Sequence, residues 1–137
     1  KFALTKGKIT VHNPKLWRPL IDIRDVVDAY TAAAMAPKEI SEIFNVCTEN
    51  YTIGDLAKRI KSELANHGHE VELEVQHKED VRNYLSSNDK IKKMLNFDPK
   101  LTPEDSVREI VENVVKFKLD LEDDVYYNIN TFKKLKI

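Results

Sequence analysis

Residues 17–30 read WRPLIDIRDVVDAY, and this stretch decides how the rest of the chain is interpreted. It begins with an extended segment that contains a proline, and it leads into an alanine-rich stretch of good helix formers with no breaker before Pro37. The pattern predicts a short extended segment followed by a helix over residues 26–36. Because Arg18 and Arg24 flank the apolar part of the stretch, they are the first candidates for a binding site.

Two interpretations of these arginines are open. A guanidinium beside a rigid proline can hold a diphosphate through two parallel hydrogen bonds, a geometry that lysine does not match. Exposed arginines more often form ion pairs, and the nearby acids are Asp22, Asp25 and Asp28. For Arg24 we expect the second role, an ion pair with Asp28.

On both sides of this stretch, hydrophobic periodicity predicts further strands and helices. Residues 42–47 form a nearly continuous apolar run, which is typical of a strand covered on both faces in a parallel sheet. Residues 71–75 alternate strictly, so Val71, Leu73 and Val75 are expected to face inward. The predicted strands are therefore 8–12, 42–47 and 71–75, and the predicted helices are 26–36, 53–66, 90–95 and 103–117.

Composition and charge limit the possible functions. The chain has 137 residues, 42% of them hydrophobic, which suits one compact domain. Its 22 basic and 23 acidic residues leave a net charge of -1, so we expect neither a nucleic-acid partner nor an anionic membrane surface. No apolar run approaches the roughly 20 residues that span a bilayer, and the first residues lack a secretory core, so we expect a cytoplasmic protein. Cys47 is the single cysteine, which leaves no disulfide or zinc framework.

The sequence lacks the features of dinucleotide binding and reductase chemistry. Gly7, Gly54 and Gly68 lie too far apart to form a glycine-rich phosphate loop. No tyrosine has a lysine four residues later, the helical spacing at which a lysine lowers the pKa of a catalytic phenol. We therefore predict that this chain alone has no catalytic residue, no metal site and no bound cofactor.

Four blocks, in the right order, resemble the C-terminal half of extended short-chain dehydrogenase/reductases, the NAD-dependent epimerase/dehydratase family. Residues 7–12 resemble the strand that precedes the arginine of this family, and residues 17–30 resemble the arginine block itself. Residues 43–53 resemble its Tyr-Asn-Val and Thr-Ile blocks. Residues 80–99 resemble its closing Asp-x-Arg-x-Tyr, Ser-Lys-Ala and Leu-Gly-aromatic-x-Pro blocks. The resemblance covers residues 7–117.

The resemblance implies a role in substrate binding. By position, Arg18 would contact the diphosphate of a nucleotide sugar. The backbone of Thr10, Val11 and His12 would lie beside the nucleobase. The partner implied is therefore a nucleotide-diphosphate sugar.

One position departs from the family pattern. His77 stands where many relatives have a second phosphate-binding arginine. A histidine there would donate a hydrogen bond, and Lys78 or Arg82 would replace the missing charge. We therefore include His77 and Arg82 among the candidate substrate-binding residues.

The resemblance also implies an α/β architecture. Residues 1–119 would form the C-terminal substrate-binding lobe of a Rossmann-type enzyme, and residues 120–137 a tail of uncertain structure. A missing N-terminal Rossmann half would bind NAD or NADP and supply the catalytic pair. The intact parent would then be an NAD(P)-dependent nucleotide-sugar epimerase, dehydratase or reductase.

The helix at 26–36 and the strand at 42–47 would belong to the missing Rossmann sheet. We expect the exposed strand 43–46 to pair with a second copy of the chain, which gives a homo-oligomer. The rival hypothesis is a free-standing, non-catalytic module derived from the same fold, whose apolar surface contacts another protein.

Overall fold

The structure, a computed structural model, describes residues 1–79 and 82–135 and has a mixed α/β fold. Its helices are α1 (Phe2–Lys6), α2 (Ile23–Ala34), α3 (Ile53–Asn66), α4 (Asp89–Leu95), α5 (Pro103–Phe117) and α6 (Asn128–Leu135), with a 3-10 helix at Asp124–Tyr126. Its strands are β1 (Lys8–His12), β2 (Trp17–Leu20), β3 (Glu49–Thr52) and β4 (Glu72–Gln76). The predicted α/β class is confirmed. Asp80 and Val81 of the closing block lie outside the described residues.

The described strands form two separate pairs. β1 and β4 are parallel, with Lys8 opposite Glu72. β2 and β3 are antiparallel, with Trp17 opposite Thr52. Parallel strands need a long crossover connection, and here that connection contains β2, α2, β3 and α3. Because α3 begins directly after β3, the β2–β3 pair sets where α3 starts.

Side-chain caps fix the starts of the two longest helices. The Thr52 hydroxyl accepts a hydrogen bond from the Asp55 amide at 3.1 Å, at the start of α3. At the start of α5, Thr102 and Asp105 form a complete capping box, in which the Asp105 carboxylate accepts from the Thr102 amide at 2.9 Å. These caps satisfy amides that have no partner within the helix. Both predicted helix starts are confirmed.

Hydrophobic clusters hold the described elements together. One cluster joins α3, α5 and the segment before β4, and another joins α2, α4 and the segment after α4. Their buried members are Leu64, Val71 and Val111 in the first, and Ala29, Ile91 and Phe97 in the second. Asn96 ends α4 in the left-handed conformation (φ 50°), which asparagine adopts more readily than most residues, and this turn lets the next residue pack inward.

The strand predicted at residues 42–47 is wrong. The segment is irregular, and the Ile43 side chain is 88% exposed. A strand needs a neighbour to complete its ladder of hydrogen bonds, and no described strand lies beside it. Phe44 and Val46 instead pack against the cluster that joins α2 and α4. Pairing with a second copy through residues 43–46 stays a prediction.

The start of one helix and the inward face of one strand differ from the prediction. α2 begins at Ile23, three residues before the predicted start, because the Asp22 carboxylate caps it by accepting from the Arg24 amide at 2.9 Å. Val75 is 56% exposed, so its predicted inward position is wrong. Its side chain borders an open cleft beside the first turn of α3, where no packed layer covers it.

Both ends of the chain contain helices that periodicity did not reveal. The tail after Asp120 has a 3-10 helix and α6, although the sequence predicted no regular element there. Lys1 connects the two ends, because its ammonium lies 2.7 Å from the Glu122 carboxylate and 4.2 Å from the centre of the Tyr127 ring. Such short helices show too few turns to establish a period.

The outer face of α2 is apolar and is not covered by the described part of the chain. Ile23 is 72% exposed and Tyr30 is 75% exposed. Beside them a cleft of about 400 Å³ opens, lined by residues that include Val26, Ala29, Phe44, Val46 and Ile91. An exposed apolar patch such as this face of α2 is typical of a surface that contacts protein.

Within residues 1–79 and 82–135, no helix combines the length and the apolar character that crossing a bilayer requires.

Candidate functional site

A cleft of about 600 Å³ opens where β1 ends and α3 begins. Its lining residues are His12, Asn13, Leu16, Ile53, Lys78, Glu79 and Arg82. Among the residues that the structure describes, two cationic side chains and one carboxylate line the cleft, so this part of the lining has a net positive charge. The volume lies in the range of small-molecule sites, so the cleft suits a small ligand that carries negative charge.

β1 reaches the cleft through its last residue. Val11 is buried against the protein, whereas Thr10 is exposed, as the alternation of a strand requires. His12 lines the cleft, and its Nδ1 is buried without a hydrogen-bond partner among the described residues. Buried ring nitrogens usually have a partner, so this Nδ1 is an unsatisfied polar atom in a residue that lines the cleft. Contact between the backbone of these three residues and a nucleobase stays a prediction.

The basic residues of the cleft come from the segment after β4. His77 follows the strand directly, is exposed and lies outside the lining. Lys78 and Arg82 both line the cleft. Lys78 and Arg82 therefore bring positive charge to the cleft, whereas His77 is not part of its lining.

Arg18 is not among the residues that line the cleft, but it bonds to the backbone of Arg82, which is. Its Nη1 donates to the carbonyl oxygen of Trp17 at 2.8 Å and to that of Arg82 at 2.5 Å. Its guanidinium also lies 5.3 Å from the centre of the Tyr84 ring, within cation–π range. Arg18 thus connects β2 to the segment that carries Arg82.

Asparagine side chains hold the irregular segment around the cleft, and sequence reasoning missed them. Asn13 Nδ2 donates to the Lys78 carbonyl at 2.7 Å, while its Oδ1 accepts from the Lys78 amide at 3.0 Å. Asn50 forms the same two-bond ring with the backbone of Ser86, at 2.8 and 2.9 Å. An amide side chain offers one donor and one acceptor, as a strand residue does. Asn13 had one signal in the sequence, its position before Pro14 after the predicted strand, whereas Asn50 on β3 had none.

Arg24 has a structural role, but its predicted partner is wrong. Its Nε and Nη2 donate to the two carboxylate oxygens of Asp22 at 2.8 and 2.9 Å, and its Nη1 lies 2.6 Å from Glu109 on α5. Asp22 is the N-cap of α2, and its carboxylate also accepts a hydrogen bond from the Arg24 amide, which keeps it close to the Arg24 side chain. Asp28 lies about one turn beyond Arg24 on α2, where it is exposed. The ion pairs therefore join α2 to α5.

These contacts predict that the chain is less stable in acid. Hydrogen bonds from Arg24 and from the Ser106 hydroxyl hold the pKa of Asp22 well below its ordinary value, although burial opposes them. A lowered folded-state pKa stabilises the fold above the unfolded pKa of about 4, and that stability is lost as the pH falls further. The carboxyl groups whose pKa is lowered are Asp22, Asp55, Glu63, Glu74, Glu104, Asp105 and Asp124.

We expect the free energy of unfolding, measured by urea titration, to be nearly constant above about pH 5 and to decrease steadily below it. Asp22→Asn removes the ionisable partner of Arg24, so this variant should show a shallower decrease between about pH 5 and pH 3. Asp28→Asn, on the same helix, should retain the full slope. An unchanged slope in Asp22→Asn would show that the Asp22 pKa is not lowered in the folded state.

The described residues do not fit a dinucleotide. Gly7 ends α1 in the left-handed conformation (φ 61°). Gly54 packs so closely on Pro14 that an added Cβ would lie 2.9 Å from the proline Cβ. The glycines thus serve turns and packing, and none is part of a phosphate cradle. Among residues 1–79 and 82–135, no three His, Cys, Asp or Glu side chains are grouped to hold a metal ion.

Comparison with known proteins gives a likeness at the level of fold. No protein-family model and no curated protein matches the chain. UDP-glucose 4-epimerase from Thermotoga maritima, solved with UDP-glucose, is 24% identical, with a TM-score of 0.68, over 85% of this chain and 38% of that one. ADP-L-glycero-D-manno-heptose-6-epimerase from Helicobacter pylori is 16% identical, with a TM-score of 0.67, over 83% and 35%. L-threonine dehydrogenase from Phytophthora infestans is 16% identical, with a TM-score of 0.67, over 86% and 39%.

The chain has the fold of part of an extended short-chain dehydrogenase/reductase. It spans less than half the length of each of these solved structures. The Rossmann-type extended short-chain dehydrogenase/reductases that share this fold include nucleotide-sugar epimerases, an NAD-dependent dehydratase and L-threonine dehydrogenases. Because fold alone does not select among ligands, the choice between them depends on the chemistry of the cleft.

Proposed function

We propose that this chain is the nucleotide-binding part of an NAD(P)-dependent nucleotide-sugar epimerase, dehydratase or reductase, and that it is not catalytic by itself. The observation that carries the proposal is the cleft at the end of β1, which Lys78 and Arg82 line, together with the hydrogen bond from Arg18 to the Arg82 backbone. A diphosphate carries concentrated negative charge and pairs of acceptor oxygens, and the planar guanidinium of arginine matches both. The ligand class is therefore a nucleoside diphosphate joined to a sugar.

The charge of the cleft favours this ligand over an amino acid. L-threonine is a small zwitterion without phosphate, and a site for it needs a carboxylate partner for its ammonium group as well as a cation. Among the described lining residues, the cationic Lys78 and Arg82 outnumber the one carboxylate, Glu79, and this excess of positive charge suits a diphosphate better than a zwitterion, whose net charge is zero. Two of the nucleotide-sugar enzymes that share the fold were solved with UDP or UDP-glucose.

The proposal assigns the remaining chemistry to another part of the parent enzyme. The described residues fit no dinucleotide, so NAD or NADP would be held by a Rossmann half. The uncovered apolar face of α2, with Ile23 and Tyr30, supports such a contact, because an apolar surface of this kind gains stability when protein covers it.

We expect Arg18→Ala to weaken the binding of UDP by about 10- to 100-fold, because a hydrogen bond to a charged group contributes about 1.5–3 kcal/mol. Isothermal titration of the chain with UDP, ADP and L-threonine measures this effect and the ligand class together. Arg18→Lys should recover only part of the affinity, since an ammonium lacks the planar pair of donors.

Arg108→Ala is the matched control, because Arg108 lies on α5 and pairs with Glu63 and Asp105 away from the cleft. It should bind UDP as the unaltered chain does. Equal UDP affinity in Arg18→Ala would overturn the proposed phosphate contact. Binding of L-threonine without any binding of UDP or ADP would overturn the nucleotide assignment.

A free-standing module with the same fold is the second candidate, and the exposed face of α2 also supports it. The two candidates differ in what the gene encodes before Lys1. A parent enzyme requires a glycine-rich strand-turn-helix and a Tyr-x-x-x-Lys pair upstream, whereas the module requires neither.

A further inference from the structure

The segment 82–86, here called the strap, has no helix or strand and connects the cleft to the β2–β3 pair. At its start, the Arg82 carbonyl accepts from Arg18 on β2 at 2.5 Å. In its middle, the Asn83 side chain accepts from the Trp17 amide at 2.8 Å. At its end, Ser86 forms the two-bond ring with Asn50 on β3. The strap therefore depends on a few side-chain hydrogen bonds for its position.

The two hydrogen bonds between Asn50 and the backbone of Ser86 hold the end of the strap in place. Asn50 lies opposite Pro19 in the β2–β3 register, and its partly buried side chain bonds to the backbone of Ser86 at both N and O. Because the ring uses backbone atoms, it fixes the path of the chain whatever the side chain at position 86. Four residues earlier in the chain, that path ends at Arg82, which lines the cleft.

Asn50 itself is not among the residues that line the cleft. The side-chain hydrogen bonds of Asn50 connect it to the cleft through the strap, which begins at Arg82. Without the ring, residues 83–86 would have to be ordered when a ligand binds, and the cost of that ordering is subtracted from the affinity. A pre-ordered strap avoids this loss.

We propose that Asn50 is a positioning residue for the ligand cleft, and that it acts by holding the strap so that Arg82 is in place before a ligand binds. This inference rests on the proposed nucleotide-binding function. It adds a residue on β3 that neither contacts the ligand nor carries a charge.

The chain offers a matched control at the far end of the same region. Asn88, beyond the strap, forms the same kind of two-bond ring with the backbone of Cys47, where its Oδ1 accepts from the Cys47 amide at 2.7 Å. Asn50→Ala and Asn88→Ala thus remove equivalent hydrogen bonds. Only the first removes them from the strap.

The experiment compares the two variants by amide hydrogen exchange in the free chain and by titration with UDP. In Asn50→Ala we expect faster exchange at the Ser86 amide and UDP affinity reduced by about 3- to 10-fold. In Asn88→Ala we expect faster exchange at the Cys47 amide and UDP affinity within about twofold of the unaltered chain. The dependence of UDP affinity on salt should be unchanged in Asn50→Ala, because no charge is lost.

Each other result overturns something definite. Unchanged UDP affinity in Asn50→Ala, or an equal loss in Asn88→Ala, overturns the positioning role and leaves the proposed function intact. Unchanged exchange at Ser86 overturns the ring itself. If the unaltered chain binds no UDP while Ser86 still exchanges faster in Asn50→Ala, the nucleotide-binding function is overturned, and the use assigned to Asn50 is overturned with it.

Discussion

Ile91→Ala should lower the free energy of unfolding by about 3 kcal/mol, because it removes a fully buried side chain and leaves a cavity that the surroundings fill only in part. Ile91 is 1% exposed and lies between Ala29 of α2 and Phe97 after α4. Urea titration followed by circular dichroism measures the loss. We also expect α2 to exchange its amides faster, since this cluster is its main attachment to α4.

A graded series separates this packing effect from a general sensitivity to mutation. Ile91→Val removes one methylene group and should cost about 1 kcal/mol. Ile129→Ala on α6 removes the same atoms from a side chain that is 69% exposed, and should change the stability by no more than about 0.5 kcal/mol. A loss below about 1 kcal/mol in Ile91→Ala would mean that this core is not tightly packed in solution.

Asp25→Ala should lower the free energy of unfolding by about 3 kcal/mol through lost hydrogen bonds. One carboxylate oxygen of Asp25 accepts from the Lys100 amide at 3.0 Å and from the Leu101 amide at 2.8 Å. The residue is 4% exposed, so alanine would leave two amides without a partner near the protein interior. Thermal and urea unfolding both measure the effect.

Two other variants test the reason for this loss. Asp25→Asn keeps an oxygen that can accept from both amides, so it should cost only about 1 kcal/mol. Asp28→Ala removes an exposed carboxylate from the same helix and should stay within about 0.5 kcal/mol of the unaltered chain. If Asp25→Asn were as destabilising as Asp25→Ala, the charge of Asp25 would matter more than its hydrogen bonds.

The elements that sequence reasoning placed correctly carry local signals. α3 and α5 begin at Thr52 and Thr102, whose hydroxyls cap the helix within three residues. β1 was recognised by alternation that ends at an Asn-Pro turn. These signals act over a few residues, so they can be read before any tertiary contact is known.

Pairing between distant segments could not be predicted in the same way. β2 contains Pro19, a residue typical of edge strands, and its partner β3 comes after α2 in the chain. The apolar run at 42–47 predicted a strand because it is apolar, yet a strand also requires a neighbour. Arg24 had several acids within reach, and although its pair with Asp22 is local, only the arrangement of α2 against α5 brought Glu109 to it.

The candidate site shows the same division. Arg18 and Arg82, which carry the positive charge, were identified from the sequence by a resemblance. In the structure the Arg18 guanidinium donates a hydrogen bond to the backbone carbonyl of Arg82. His77 was expected at the site and lies outside the cleft lining. Asn13 and Asn50 were missed, because an asparagine that bonds to backbone atoms has no partner residue type that a pattern could reveal.

The amino-acid sequence by itself determined most of the helices and the starts of α3 and α5, and the resemblance to a family pointed to Arg18 and Arg82. The helices and their starts follow from periodicity and capping, which are local properties of the chain. The tertiary structure alone decided which strands pair, that Arg24 also meets Glu109 on α5, and how Asn50 holds the strap beside the cleft. These contacts join residues that are far apart in the chain. They form only when the folded chain brings those residues within hydrogen-bonding distance, so no local pattern in the sequence reveals them.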